Sequence, residues 1–132
     1  MYITRRERFS AAHKLENKKL TDQENSNLFT KCNTLHGHNY QLFVTISGDI
    51  KPHSGFIVNL KDLKKIIREK IIDKLDHNYI NDVDFMHNQI STTENLCIQI
   101  WKELQEPIDL LGAKLYKIKI TETENNSFEY FG

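Results

Sequence analysis

Apolar and polar residues alternate over the first part of the chain. Phe9, Ala11 and His13 lie two residues apart, so in an extended segment their side chains point to the same side. The pattern predicts a β-strand from Tyr2 to His13, with His13 on the face that Phe9 occupies.

A second alternating segment ends before Gly48. Its apolar face is formed by four residues, Tyr40, Leu42, Val44 and Ile46, which predicts another strand. His36 and His38 continue the phase of this face, so we expect both imidazoles at the beginning of the strand.

Two helices are predicted in the middle of the chain. The first begins after the cap residue Asn59 and ends near Leu75, with apolar residues three and four positions apart. The second begins at a capping-box pattern, in which Ser91 and Glu94 satisfy each other's backbone amides, and ends at Pro107.

The remaining segments are shorter or less regular. The polar, aperiodic residues from Leu15 to Thr30 predict a surface loop with at most a helical turn. Tyr116, Ile118 and Ile120 alternate with lysines and predict a third strand, and a short fourth strand is expected from Phe128 to Phe131.

The predicted order of elements is strand, strand, helix, helix, strand, strand. This order indicates an α+β domain in which two helices cover one face of a four-stranded antiparallel sheet. The 132 residues, 39% of them hydrophobic, are enough for one core and too few for two. A single domain over residues 1–132 is therefore expected, and its uncovered face and unpaired sheet edges favour an oligomer.

Composition narrows the classes of function. Basic and acidic residues number 18 each, so no net charge favours nucleic acid or an anionic membrane as a partner. The N-terminal residues lack an apolar leader core, and no run of about 18 apolar residues occurs, which predicts a cytoplasmic protein without a membrane span. Cys32 lies near histidines and Cys97 in an apolar helical pattern, so no structural disulfide is expected.

The main chemical prediction is a metal site. His13, His36 and His38 supply the three imidazoles that a catalytic zinc ion commonly uses, with a fourth position open for water or substrate. Cys32 lies just upstream of His36. It is either a reactive thiol beside the metal or a fourth ligand that closes the shell of a structural zinc site.

Other polar residues have candidate roles. Asp76 and His77 form a carboxylate and imidazole pair suited to proton transfer, although a polar helix end without catalytic function is the alternative. Glu122 continues the inward phase of the third strand, so its carboxylate is expected to meet a cation or the N–H donors of a heterocycle. His53 and His87 are expected in exposed loops.

Six motifs in this order resemble the 6-pyruvoyltetrahydropterin synthase and 6-carboxytetrahydropterin synthase family, whose members have the tunnelling fold. The motifs extend over nearly the whole chain: Phe9 to His13, Lys31-Cys32, His36 to Tyr40, Leu75 to His77, Ser91 to Asn95 and Glu122-Thr123.

The resemblance implies a role for each candidate residue. Three imidazoles would bind Zn²⁺, those of His13, His36 and His38. Cys32 would be the catalytic base, with Asp76 and His77 as the proton-relay pair. Glu122 would anchor a pterin ring. The backbone and side chains around Thr92, Thr93 and Glu94 would help to bind it.

The resemblance also implies the substrate, 7,8-dihydroneopterin triphosphate, and a homo-hexamer of two stacked trimers with sites between subunits. In the carboxy branch of the family the product is 6-carboxy-5,6,7,8-tetrahydropterin, acetaldehyde and triphosphate are released, and the pathway leads to queuosine. In the pyruvoyl branch triphosphate is eliminated with an internal redox step, in the tetrahydrobiopterin pathway.

The motifs divide between the two branches. The short gap between Cys32 and His36 resembles the carboxy branch, which is the main prediction because this gap positions the base relative to zinc. The segments that begin at Leu20, Asn59, Ser91 and Glu122 resemble the pyruvoyl branch, which is the alternative. A third hypothesis is a non-catalytic binding module in which Cys32 and the three histidines close the zinc shell.

Overall fold

The sheet in the computed structural model, which describes residues 1–132, contains four antiparallel strands in the order β1-β2-β3-β4. Their bounds are β1 Tyr2–His13, β2 His36–Ser47, β3 Lys114–Thr121 and β4 Ser127–Tyr130. The register of the first two strands pairs Tyr2 with Ser47 and His13 with His36. The predicted α+β class and antiparallel sheet are confirmed.

The two faces of the sheet have different environments. The face that we call the inner face is covered by helices, and on it Phe9 stacks on Tyr40 with ring centroids 4.8 Å apart. The outer face has no covering helix, and there Arg6 and Lys119 flank Phe43 as cross-strand neighbours. Alternation along β1 and β2 therefore places each side chain in either the core or the open face.

A short helix, α1 (Asp22–Phe29), occupies part of the segment that the sequence analysis predicts as a loop. That prediction is wrong for these residues. The helix has little apolar periodicity and is held by polar contacts: Thr21 and Glu24 form a capping box, and the buried amide of Asn25 donates to the carbonyls of Asn17, Leu20 and Thr21. A 3₁₀ turn, Thr30–Asn33, follows directly.

The first predicted helix is present and ends where expected. It consists of α2 (Leu60–Ile67), a π-helical turn (Arg68–Ile72) and a last α turn (Asp73–Leu75). The Asn59 side chain accepts a hydrogen bond from the backbone N–H of Lys61. The later part of its apolar stripe is buried in the core, whereas Leu60 at its start is 53% exposed.

The second predicted helix, α3 (Thr93–Leu110), begins with a different cap from the one predicted. Thr92 is the N-cap residue, because its hydroxyl accepts from the backbone N–H of Asn95. The predicted capping box between Ser91 and Glu94 is wrong, since the Ser91 hydroxyl instead donates to the carbonyl of Lys14. Ser91 therefore links the start of α3 to the end of β1.

Helix α3 does not end at Pro107, contrary to the prediction. It continues through the proline to Leu110. Ile108 lies one position beyond the proline and is completely buried, as are Ile100 and Leu104. Burial of this continuing stripe outweighs the one backbone hydrogen bond that a proline lacks.

Strand β3 departs from the predicted alternation at Tyr116. Its pairing with β2 shifts between Thr45 and Ile46, which leaves Tyr116 as an extra residue in a bulge. Leu115 consequently faces the core, whereas Tyr116 is 40% exposed and packs against Tyr2 with ring centroids 4.4 Å apart. The prediction that Tyr116 shares the inward face of Ile118 and Ile120 is wrong.

Other expectations agree with the structure. Cys97 is buried in the core, and His53 and His87 are exposed. The chain contains no helix with both the length and the apolar character needed to span a bilayer. The last strand begins and ends one residue earlier than its predicted range of Phe128 to Phe131.

Candidate metal centre and surrounding residues

Three imidazoles converge where β1 ends and β2 begins. His13 and His36 are cross-strand partners, and His38 lies on the same inner face because it is two residues further along β2. One ligand atom from each of the three rings lies within 4.8 Å of the others. Gly37 allows the strands this close approach, since a Cβ there would lie 3.1 Å from the carbonyl oxygen of Ala11.

Hydrogen bonds fix the orientation of two of these rings. Nδ1 of His13 lies 2.7 Å from the carbonyl oxygen of Ser91, and Nδ1 of His36 lies 2.6 Å from that of Thr34. A carbonyl oxygen only accepts, so each Nδ1 donates and each neutral ring keeps its lone pair on Nε2. These tautomers leave Nε2 of both rings available to a metal ion.

The chain leaves one of these lone pairs without a partner. Nε2 of His13 is buried and makes no hydrogen bond within the protein, an arrangement that is costly unless a ligand satisfies the atom. Burial lowers the pKa of His13, and the nearby imidazoles of His36 and His38 lower it further, against an opposing effect of the Ser91 carbonyl. Neutral imidazole is the form that binds zinc, so the residues present fit the predicted Zn²⁺ site.

His38 lies beside a carboxylate. Burial lowers the pKa of His38, whereas Glu122 opposes this effect, and Nε2 of His38 is 3.9 Å from Oε1 of Glu122. The same carboxylate oxygen accepts a hydrogen bond from the hydroxyl of Thr93, in the first turn of α3. Glu122 therefore points inward as predicted, between the imidazole cluster and the N-terminus of α3.

Three residues are predicted to lie around Glu122, and they differ in burial and in hydrogen bonding. Thr93 is buried and bonded to the carboxylate, whereas the Thr92 hydroxyl caps α3. Glu94 is exposed in the first turn of the helix. Of the three, Thr93 alone has a direct side-chain hydrogen bond to Glu122.

Tyr40 is a neighbour of the site that the sequence analysis treats only as a core residue. Its ring meets that of His38 edge-on at 5.5 Å, and its buried hydroxyl has no hydrogen-bond partner. Burial and the charge of Glu122 raise the pKa of Tyr40, so the phenol stays protonated. Its shared strand phase with His36 and His38 is the sequence feature that could have identified it.

Asp76 and His77 lie along the outer edge of β1. The backbone N–H of Ser10 donates to Oδ1 of Asp76 at 2.9 Å, and the backbone N–H of His77 donates to the carbonyl of Ser10 at 2.7 Å. Nδ1 of His77 is 3.1 Å from Oδ1 of Asp76, and its ring is 83% exposed. His77 also has a left-handed backbone, with φ of 59°, a costly conformation that is often found at functional sites.

A cleft of about 500 Å³ lies where the chain after Asp76 runs beside β1 and β2. Its lining includes His77 and the outer-face residues Ala12, Gly37 and Asn39, and it also includes His38 from the inner face. The three zinc-ligand candidates belong to the inner face. The exposed ring of His77 and one of these candidates, His38, thus line the same cleft.

Cys32 lies in the 3₁₀ turn before β2 and is exposed. The cluster of candidate ligand atoms consists of the three imidazoles and does not include its thiol. The backbone N–H of Leu15, two residues after His13, donates to the carbonyl of Cys32 at 2.8 Å. The turn is thereby tied to the strand end that supplies a metal ligand, while the thiol stays outside the ligand set.

Known proteins share this fold and sequence pattern. A family model described as 6-pyruvoyl tetrahydropterin synthase matches residues 2–132. The 6-pyruvoyl tetrahydrobiopterin synthase of Homo sapiens is 45% identical over 98% of this chain and 90% of its own length. The protein of the same name from Dictyostelium discoideum is 47% identical over 98% of this chain and 95% of its own length.

A more distant relative and a solved structure also match this chain. A protein of Archaeoglobus fulgidus, provisionally named 6-carboxy-5,6,7,8-tetrahydropterin synthase, is 33% identical over 89% of this chain and 84% of its own length. The structure of Caenorhabditis elegans 6-pyruvoyl tetrahydropterin synthase superposes with a TM-score of 0.91 at 38% identity, over 100% of this chain and 95% of that one. Together with the three-imidazole cluster, which is typical of the zinc site in this family, these matches show that the chain belongs to the 6-pyruvoyl tetrahydropterin synthase family.

Proposed function

We propose that this protein is a zinc-dependent 6-pyruvoyl tetrahydropterin synthase, which eliminates triphosphate from 7,8-dihydroneopterin triphosphate. The observation that supports it most is the buried, unpartnered Nε2 of His13 in a three-imidazole cluster that leaves the Cys32 thiol free. The relatives at 45% and 47% identity have the pyruvoyl name, and the one with the carboxy name is 33% identical. The comparisons therefore favour the alternative of the sequence analysis over its main prediction, the carboxy branch.

The zinc ion would be held by His13, His36 and His38. When bound, it would polarise the side-chain hydroxyls of the substrate and make their protons easier to remove. The protein residues have the remaining tasks. Cys32, outside the ligand set, would accept a proton from a side-chain carbon of the substrate through its Sγ.

The Asp76–His77 pair would provide the second proton-transfer group. Asp76 holds Nδ1 of His77, which leaves Nε2 of the exposed ring to exchange protons with a substrate. Because that ring is 83% exposed at the open edge of β1, we propose that His77 acts in the site of a neighbouring subunit.

Glu122 would hold the pterin ring. One carboxylate oxygen accepts from Thr93, and the other has no hydrogen bond within the chain, so it is free to accept N–H donors of a heterocycle. The charge-assisted bonds of a carboxylate to a planar amidine-like edge are directional and strong. They would orient the ring so that its side chain extends toward the metal.

The assembly that we propose is a homo-hexamer built from two trimers. Both edges of the sheet support association, because the first half of β1 and the four-residue β4 have no strand partner on their outer sides. Size-exclusion chromatography with light scattering measures the mass directly. A monomer at micromolar concentration would contradict both the hexamer and the shared site.

A product assay tests the proposed reaction. Zinc-loaded protein is incubated with 7,8-dihydroneopterin triphosphate, and pyruvoyltetrahydropterin, acetaldehyde and triphosphate are each quantified. We expect pyruvoyltetrahydropterin and triphosphate in equal amounts without acetaldehyde. Stoichiometric acetaldehyde would instead establish the carboxy branch, and a zinc-loaded protein without turnover would support the non-catalytic module.

A further inference from the structure

The position of Cys32 depends on two hydrogen bonds to a single residue. The backbone N–H of Leu15 donates to the carbonyl of Cys32 at 2.8 Å, and Nδ2 of Asn33 donates to the carbonyl of Leu15 at 2.9 Å. Both backbone groups of Leu15 are thus bonded to the turn. This arrangement, which we call the Leu15 clamp, continues the pairing of β1 and β2 beyond His13 and His36.

The clamp connects the thiol to the metal ligands on both sides. Leu15 follows His13 by two residues, and the turn leads into β2 through Thr34, whose carbonyl accepts from Nδ1 of His36. Asn33 is adjacent to Cys32 and is half-buried. A shift of the turn would therefore move the thiol relative to two of the imidazoles, His13 and His36.

The turn needs such a restraint because its first residue is strained. Thr30 has φ of 50° and ψ of −124°, a left-handed conformation that is unfavourable for a β-branched residue. Its backbone N–H still bonds to the carbonyl of Ser26, as the end of α1. Without contacts from outside the turn, a relaxed backbone would be more stable than the observed one.

We propose that Asn33 is a positioning residue that holds the Cys32 turn in its strained, reactive placement through the Leu15 clamp. The catalytic part of this inference rests on the proposed function of Cys32 as the base. The side-chain amide is required as a donor, because a backbone carbonyl can only accept. An aspartate of the same shape cannot make this bond at neutral pH.

Two substitutions test the clamp in the zinc-loaded protein. N33D keeps the shape and removes the donor, and N33A removes the side chain without adding charge. We expect both to lower kcat by about 10- to 100-fold with KM and zinc content unchanged, since small displacements of a reacting group have effects of this size. Hydrogen exchange at the Leu15 amide should become at least tenfold faster. N27D is the matched control, because Asn27 is exposed on α1 and accepts only from Gln23.

A second variant separates positioning from general loss of structure. T30G removes the backbone strain, so the turn should keep its conformation even without the clamp. We expect T30G in combination with N33A to recover most of the lost kcat. N33A alone should change the alkylation rate of Cys32 at least threefold. The combined variant should return this rate to the wild-type value. Cys97 is only 2% exposed and should not interfere.

The readouts distinguish the possible failures. Unchanged exchange at Leu15 in N33A, or an unchanged kcat despite faster exchange, would overturn the proposal. An absence of rescue by T30G would overturn it as well, because the loss would then not arise from release of the turn. If the wild-type protein did not convert the pterin substrate, the proposed function would fail, and exchange, alkylation and rescue would still decide whether Asn33 positions the thiol.

Discussion

The carboxylate of Asp76 accepts a hydrogen bond from the backbone N–H of Ser10, which lies 66 residues earlier in the chain and 2.9 Å away. This bond is the main reason that the pKa of Asp76 is lowered, and the adjacent His77 ring contributes further. The bond joins the end of the α2 segment to β1, so the Asp76–His77 pair is attached to the strand that also supplies His13.

Replacement of Asp76 by asparagine should change how stability depends on pH. The folded pKa of Asp76 lies below its unfolded value of about 3.9, so the ionised group stabilises the fold above that value and loses this effect as pH falls through the folded pKa. The difference in unfolding free energy between wild type and D76N should therefore be fully present at pH ~5 and shrink toward pH ~2. Urea unfolding of the metal-free proteins measures it.

The exposed Asp84 provides a matched control, because no hydrogen bond to its side chain is present. D84N should lower the unfolding free energy less than D76N does at pH ~5. A D76N difference that stays flat down to pH ~2 would show that the Ser10 bond does not favour the ionised carboxylate.

Removal of the Cys32 thiol should strongly lower turnover and leave the metal in place. The ligand cluster contains only imidazoles, so C32A should bind zinc with the wild-type stoichiometry, measured by elemental analysis. A general base contributes about 10²- to 10⁴-fold, and kcat should fall accordingly. Loss of zinc together with the thiol would support the closed four-ligand shell and the non-catalytic module.

Removal of His13 should release the metal, in contrast to removal of the Cys32 thiol. This imidazole is 3% exposed and supplies the buried Nε2, so H13A should lose most of its bound zinc and its activity. Its melting temperature should fall by several degrees, because both a ligand and a buried side chain are lost. H87A, at an exposed loop position, should retain zinc, activity and melting temperature.

The sequence was sufficient for those features that depend on local periodicity. Strand phase predicts His13 on the face of Phe9, and His36 and His38 on the face of Tyr40. Pairing of the two strands joins these faces, and the three imidazoles lie together. Tyr116 shows where periodicity fails. Its outward direction depends on a register shift against Thr45 and Ile46, and a bulge of this kind arises from pairing between strands rather than from the strand's own sequence.

Polar features were also difficult to predict. Helix α1 is stabilised by its capping box and by the buried Asn25. Its sequence therefore has no apolar stripe from which the helix could be predicted. The Leu15 clamp joins residues 15 and 33, and their sequence separation gives no indication of it. The short gap between Cys32 and His36 favoured the carboxy branch, yet the thiol's placement depends on this clamp and on a compact turn as well as on the length of the gap.

The carboxylate of Glu122 should matter for substrate binding more than for the chemical step. E122Q keeps the shape of the side chain and its bond with Thr93, but removes the charge. Hydrogen bonds to a charged group contribute about 1.5–3 kcal/mol, so KM should rise roughly ten- to hundredfold with kcat within about threefold of wild type. Steady-state kinetics with 7,8-dihydroneopterin triphosphate separates the two parameters, and E124Q, at an exposed turn nearby, should leave both unchanged.

The zinc content of E122Q decides between two explanations of any larger effect. Oε1 of Glu122 is 3.9 Å from Nε2 of His38, so the carboxylate could also favour metal binding through this ring. If Glu122 only anchors the pterin, E122Q keeps full zinc occupancy and the KM effect disappears for a substrate analogue that lacks the ring N–H donors. If kcat and zinc occupancy fall together while KM stays constant, Glu122 supports the metal centre, and the pterin anchor has to be sought elsewhere at the N-terminus of α3.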